Sequence, residues 1–338
     1  MKLLVAMMLT AAVPMLAQRR DRNDPRDSRS GYDQAERATV LHLANVYVMA
    51  SADAPPVITV SPGHEVVVLA HNGPWVNVLA NTDAKEDADP ESKPEFEDPG
   101  VNPDPSSGWI RDKGIVGPKT PHGDALIFGA AAEFETQAMQ PHAPQGSAAA
   151  AHLLYRRVVE YFPDSPWAAE AAFRSADIRW QLDKADIATL PSAKEQEAFL
   201  RPQLYEGELK MVMKMYPKSD WEARAAFDLI DDKLCGDWQG LAKCPEMESN
   251  LYLQYADRYR GGPKSAEALY DAAYRQGVLV TMYTVDEQPK RAEAAAKNCQ
   301  VIADELLRDY AQSDYAARAQ AIAFKVKQGI PVYGNDRD

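Results

Sequence analysis

Between residues 39 and 81 the apolar positions come in short β-rich runs, and from residue 147 onward they recur every three to four residues. TVLHL, VITV, EVVVLA and WVNVLA are separated by SADAPP, SPG and HNGP, and GWIRD follows after a polar stretch. Short runs rich in Val and Ile between turn residues predict strands. Five short strands with tight turns predict a small barrel over 38–117.

The helical part carries a repeat. YFPDSPWAAEAAF at 161–173 and MYPKSDWEARAAF at 215–227 share one pattern, which recurs around Tyr259 and Tyr310. Three residues after Phe162, Tyr216, Tyr259 and Tyr310 stand Ser165, Ser219, Gly262 and Ser313. Nine residues after them stand Ala171, Ala225, Ala268 and Ala319, and eleven after them Phe173, Phe227, Tyr270 and Ala321. Each unit reads as a helix, a corner and a helix. In the first, Tyr155, Val158, Val159 and Phe162 stripe one helix and Pro163 stops it, since its ring cannot donate into the next turn. Ser165 is placed to cap the following helix, with Pro166 at its first position, and Trp167 is placed to cover the corner. Ala171, Ser175, Ile178 and Leu182 form the second stripe, its small residues allowing close helix approach. Such a pair cannot bury its face alone, so neighbours must stack. The units are 54, 43 and 51 residues apart, so segments 183–200 and 282–291 are expected to bulge from the stack.

Other stretches lack either period. MKLLVAMMLTAAVPMLA, 1–17, reads as a secretory signal, with Lys2 basic, Leu3 to Leu16 apolar, and cleavage before Gln18. A membrane anchor needs about twenty apolar residues, and Arg19 and Arg20 end this run sooner. No Cys stands at the cleavage point, so no lipid anchor is expected, and no later stretch is apolar enough to span a membrane. Residues 18–37 are Arg-rich and expected to be disordered. The insertion 83–104 has nine acids, two lysines and four prolines and is expected to be a mobile loop within the barrel. Asp87, Asp89, Glu91 and Asp98 mimic a calcium loop, but Ser92 replaces the turn glycine and Pro90 and Pro94 stiffen it, which argues against that site. Residues 118–146 read as a linker docking one helix within ALIFGAAAEFETQAM. Residues 147–330 are the repeats and 331–338 a tail.

Composition narrows the function. The 338 residues allow two or three domains, and the net charge of −13 speaks against nucleic acid as a partner. Loss of Lys2 with the signal leaves 36 − 50 = −14. Export places the three cysteines in an oxidising compartment. Cys235 and Cys244 flank a Gly-containing eight-residue segment, and a local disulfide is the favoured reading. Cys299 shares a helical face with Ile302, Ala303, Leu306 and Tyr310 and reads as a buried thiol.

No catalytic pattern stands out. A cysteine peptidase needs a Cys followed by His, yet His152 is the last histidine and precedes every cysteine. The six histidines show no H-E-x-x-H spacing, and no G-x-S-x-G, phosphate loop or G-x-G-x-x-G is present. No enzyme activity, cofactor or metal is expected. Binding is the better hypothesis. Tyr47, Trp75 and Trp109 are candidates for an aromatic platform for glycan or peptide, although both tryptophans also suit structural packing. Tyr252, Tyr255 and Tyr274 are candidates for a protein-binding groove, within a tyrosine cluster that otherwise reads as packing.

Two resemblances add to this reading. Asn45-Val46, Gly63 before HEVVVLA, Gly73-Pro74-Trp75-Val76-Asn77-Val78 and Gly108-Trp109-Ile110 resemble the bacterial SH3-like (SH3b) pattern over roughly 38–117. Tyr47 stands where that family often has Arg, and Pro74 is an extra residue. The helix, aromatic-Pro-x-Ser and Ala-rich helix units over 147–328 resemble tetratricopeptide-like repeats of periplasmic outer-membrane assembly lipoproteins and of the Tol-associated coordinator of wall synthesis. The units depart from a 34-residue period, and the chain lacks the lipid-anchor Cys of the former and the N-terminal coiled coil of the latter. Together they imply a multidomain β + α chain, a small SH3-like barrel followed by an α-helical repeat solenoid. The function implied is a non-catalytic, exported envelope protein, periplasmic or secreted. Its barrel would bind or localise to peptidoglycan and its repeats would scaffold a protein partner. An assembly factor with a structural barrel and an accessory subunit of a wall hydrolase are the alternatives.

Overall fold

The computed structural model describes residues 35–81, 105–189, 204–235, 238 and 240–333. The signal segment, the Arg-rich stretch up to residue 34, the acidic insertion, residues 190–200 and the end of the tail lie outside the described residues.

Seven strands form one antiparallel sheet: β1 (Glu36–Val40), β2 (Ala44–Tyr47), β3 (Pro56–Val60), β4 (Glu65–Asn72), β5 (Trp75–Ala80), β6 (Ser106–Arg111) and β7 (Ile115–Val116). Their order is β3-β2-β6-β5-β4-β1-β7, an open sheet with β3 and β7 at its edges. Seven strands replace the five expected. Only Thr39 and Val40 of TVLHL are in a strand, at the end of β1, because the chain bends at Leu41–Leu43 before β2 starts at Ala44. β7 is added where the chain turns at Asp112–Gly114 and pairs Ile115 and Val116 with β1. β1 also begins at Glu36, inside the stretch expected to be disordered, because Arg37 pairs with Glu65 of β4. β5 and β6 pair from Ala80–Ser106 to Trp75–Arg111, so the acidic insertion joins the ends of two neighbouring strands.

Alternation divides the strands between two faces. Ala38, Val40, Val46, Val60, Val66, Val76, Val78, Ala80 and Ile110 form one buried cluster. Each such Val or Ile contributes about 1.5–3 kcal/mol of apolar burial. Gly108 belongs to this face for a steric reason: a Cβ there would meet Tyr47 O and Val46 Cγ1 at 2.6 Å. Without a side chain, β6 approaches β2 closely enough to set Trp109 opposite Tyr47.

Among the described residues nine helices follow: α1 (Gly123–Ala138), α2 (Ser147–Tyr161), α3 (Ala168–Thr189), α4 (Gly207–Met215), α5 (Asp220–Asp228), α6 (Lys243–Arg258), α7 (Ser265–Val285), α8 (Pro289–Asp309) and α9 (Asp314–Lys327). The helix of the 118–146 stretch is α1. Its Ile127 and Ala131 are buried in a cluster with Leu154, Tyr155, Val158 and Ala171 of α2 and α3. Tyr155 Oη and Arg174 Nη1 both donate to Glu135 Oε2 at 2.6 Å, which ties α1 to α2 and α3.

Four helix pairs share one corner. Phe162, Tyr216, Tyr259 and Tyr310 are the residues that end α2, α4, α6 and α8, with φ between −110° and −135°. Each donates its N–H to the carbonyl four residues back at 2.9 Å. Each carbonyl then accepts the N–H three residues on, from Ser165, Ser219, Gly262 or Ser313. The alanines nine residues after the aromatic, Ala171, Ala225, Ala268 and Ala319, are all fully buried. A larger side chain there would hold the helices of a pair apart. Ser219 and Ser313 cap their helices by accepting from Glu222 N and Tyr315 N at 3.1 and 3.3 Å. Ser165 behaves differently. Its hydroxyl donates to Asp124 of α1 at 2.7 Å while accepting from Trp167 N, and α3 starts at Ala168 rather than at Pro166. The Trp167 ring lies 4.9 Å from Phe128 of α1, over the corner. Residues 282–291 do not bulge. α7 runs on to Val285 and α8 starts at Pro289, which absorbs the extra length as longer helices.

The helices meet the sheet at β4 and β7. Arg157 of α2 donates from Nε to Gly63 O at 3.0 Å, and Tyr161 Oη donates to Glu65 Oε2 at 3.3 Å. Gly63, at φ +86°, sits so close to α2 that a Cβ would stand 2.6 Å from Leu153 Cβ. Val116 of β7 is buried in the same cluster as Ile127 and Leu154.

Candidate functional site

On β5 the core takes Val76, Val78 and Ala80, so Trp75, Asn77 and Leu79 face the other way. On β6, Trp109 and Arg111 share that second face, and Trp109 is paired with Tyr47 and with Asn77. The three aromatic residues expected to form a platform are therefore brought together, but they are not equivalent. Trp75 is 6 % exposed. Its ring lies under the Arg111 guanidinium at 4.3 Å and meets the Tyr47 ring edge-on at 5.7 Å. Such a cation–π contact contributes about 0.5–2 kcal/mol. Trp75 thus serves as packing beneath Arg111, while Tyr47 and Trp109 remain half-buried and Arg111 is exposed. Arg111 was not singled out from sequence, although strand alternation through GWIRD places it two residues beyond Trp109 on the same face. The helix dock uses Glu65 and Arg37 at another part of the sheet, and it leaves this patch outside the contacts made by Arg157 and Tyr161.

The tyrosines expected at a groove fall in the helical core. Tyr252 and Tyr255 are each 5 % exposed. Tyr255 donates to Ala223 O at 2.7 Å and meets Phe227 edge-on at 5.2 Å, joining α6 to α5. Tyr252 lies against Phe227 and under Arg275 at 4.6 Å. Their phenol pKa values are raised by burial. Both are removed from the candidate groove, because their rings fill the space between successive helix pairs. Tyr274 is only partly buried and lies 6.1 Å from Trp238.

Trp238 leads to a polar centre that sequence reasoning missed. Cys235 and Cys244 are joined by a disulfide with Cα atoms 6.0 Å apart. Glu248 of α6 is 1 % exposed and accepts from Cys235 N at 2.9 Å, Trp238 Nε1 at 3.0 Å and Arg275 Nε at 2.9 Å. One buried carboxylate therefore holds the disulfide loop onto α6 and α7. Tyr333 also packs against Trp238, at 5.5 Å, and Val332 N donates to Thr281 Oγ1 at 3.1 Å, so the chain after α9 returns across α7. Cys299 is a fully buried free thiol, pushed up to about 11 by burial.

A second electrostatic feature lies on the later helices of the second and third pairs, α5 and α7. Asp228 is raised to about 7 by burial, with Asp177 and Asp231 adding to the shift, and Asp271 is raised to about 6 by burial against the opposing pull of Arg275. Among the described residues no three His, Cys, Asp or Glu side chains converge to hold a metal ion. No described helix is long and apolar enough to cross a membrane.

No known family model matches the chain, and no curated protein matches it.

Proposed function

We propose that the chain is a non-catalytic, exported cell-envelope protein in which an SH3-like sheet unit holds wall material and tetratricopeptide-like helix pairs scaffold a protein partner. The patch of Tyr47, Trp109 and Arg111 carries this reading. It offers two half-buried aromatic rings beside an exposed guanidinium, a combination that stacks on sugar rings and pairs with carboxylates. The four corners with their shared aromatic and buried alanine support the repeat reading, and the Cys235–Cys244 disulfide is compatible with export. Two weak sites on one chain raise the local concentration of each target near the other. Co-sedimentation of the full chain with purified peptidoglycan tests this. The wild type is expected to pellet, and Trp109→Ala and Arg111→Ala are expected to stay in the supernatant while keeping their far-UV circular dichroism. A soluble wild type at low salt would overturn the wall-binding part.

A second reading, an assembly factor whose sheet is structural, is favoured by the buried contacts of Arg157 with Gly63 and Glu65 and by the covered ring of Trp75. It is supported if crosslinking captures a client on the helix pairs while the patch variants leave that capture unchanged.

A further inference from the structure

The joint between the first and second helix pairs contains a carboxylate in an unfavourable place. Asp228 is the last residue of α5, where the partial negative charge of the helix end already opposes ionisation. Its Oδ2 is buried and meets no hydrogen-bond donor among the described residues. The repeat explains its neighbours. Asp228 and Asp271 each stand twelve residues after a corner aromatic, Tyr216 and Tyr259, while Asp177 and Asp231 each stand fifteen after Phe162 and Tyr216. Stacking the pairs therefore brings carboxylates from successive later helices into one another's field.

The groups that face Asp228 come from every element around it. α3 presents Asp177 and Lys184, the turn after α5 presents Asp231, the segment leading into α7 presents Lys264, and α6 presents the Tyr255 hydroxyl. Arg224 stands one turn back on α5 itself. α4 adds Leu209 and Val212, which pack with Leu229 in the adjoining core. Both lysines are already engaged: Lys184 Nζ is 2.6 Å from Asp231, and Lys264 Nζ is 2.6 Å from Glu267. Arg224 lies over the Trp221 ring, with its Nε unpaired. Among the described residues no cation pairs directly with Asp228; Lys184 and Lys264 only partly offset its burial and the repulsion of Asp177 and Asp231.

We infer that Asp228 is a proton-operated catch for this joint, closed when its carboxyl is neutral and loosened when it ionises against Asp177 and Asp231. Its raised pKa of about 7 places the change near neutral pH. The sign follows from linkage. A carboxyl that holds its proton more tightly when folded adds stability at low pH and loses it as pH rises through the folded value. The folded-to-unfolded ratio then falls by up to about tenfold per pH unit between roughly pH 4 and 7 from this group. The catch does not depend on the proposed function, since it rests only on the helix packing.

The test is urea unfolding of the full chain from pH 4.5 to 8.5, with wild type, Asp228→Asn and the exposed control Asp257→Asn. Asp228→Asn is expected to gain stability relative to wild type as pH is raised from 5 to 8, while Asp257→Asn follows the wild-type slope. Carboxyl NMR of the Asp-labelled wild type reads the group directly and is expected to find Asp228 titrating near neutrality. It also serves if Asp228→Asn fails to fold. A midpoint near the ordinary aspartate value of about 4, or an Asp228→Asn profile parallel to wild type, would overturn the inference.

Discussion

Arg157 on α2 and Glu65 on β4 meet with Nη1 3.9 Å from Oε2, and both are more than nine-tenths buried. Arg37 approaches the other Glu65 oxygen, and Arg157 also reaches Glu160 and the Gly63 carbonyl. The sheet and the helices are thus joined through a shared ionic centre, where removing one partner strands the other's charge. Arg157→Met is expected to cost about 3 kcal/mol, the lower end for a broken buried pair because Arg37 remains. Pairing it with Glu65→Gln should recover part of the loss. A double-mutant cycle in urea checks this, and additive effects would show that the two side chains do not interact.

Glu248 accepts from a backbone amide, an indole and a guanidinium at once. Glu248→Ala leaves three partly buried donors without this acceptor and is expected to cost about 3 kcal/mol. Trp238 fluorescence should shift toward that of solvent-exposed indole, and an unchanged spectrum would argue against this arrangement.

The disulfide closes a short loop, so its contribution is modest. Reduction, or the paired change Cys235→Ser and Cys244→Ser, is expected to cost about 2–3 kcal/mol. Native alkylation should leave Cys299 unlabelled, because its thiol is buried and kept protonated. Mass spectrometry before and after unfolding distinguishes the three cysteines.

Ala225 of α5 is fully buried in one cluster with Leu209 and Val212 of α4. Ala225→Leu is expected to destabilise by about 1–3 kcal/mol, whereas Ala317→Leu, on the exposed side of α9, should be nearly neutral. Thermal unfolding of the two variants compares them directly.

Asp271 carries the same position in the third pair as Asp228 in the second. Its folded value of about 6 lies above the unfolded one, so its share of stability is present below about pH 4 and is lost as pH rises toward 6. Asp271→Asn should flatten the stability profile over that window. A variant profile as steep as wild type between pH 4 and 6 would contradict the assigned burial.

Much of the helical architecture was legible because its signals are local. Phe162, Tyr216, Tyr259 and Tyr310 mark the four corners, since a helix end depends on backbone geometry within a few residues. The alanines that follow read as close contacts, because only small side chains leave room for a neighbouring helix. The thiol of Cys299 was legible from its face, shared with Ile302, Ala303 and Leu306. The strand runs were legible too, except where Leu41–Leu43 bends within one apolar stretch and short β7 gains its pairing only from β1.

Periodicity along the chain therefore determined which segments are strands or helices, where the helix pairs turn and which small residues they bury. It could not determine which aromatic residues remain accessible. Tyr252 and Tyr255 follow the same spacing as a groove would, yet α5 of the preceding pair covers them, and Trp75 lies on the expected face but beneath Arg111. Nor could it place Glu65 with Arg157, Glu248 with Trp238, or Asp228 between Asp177 and Asp231. Those relationships depend on distances between segments remote in sequence, and only the packing of sheet on helix and pair on pair decides them.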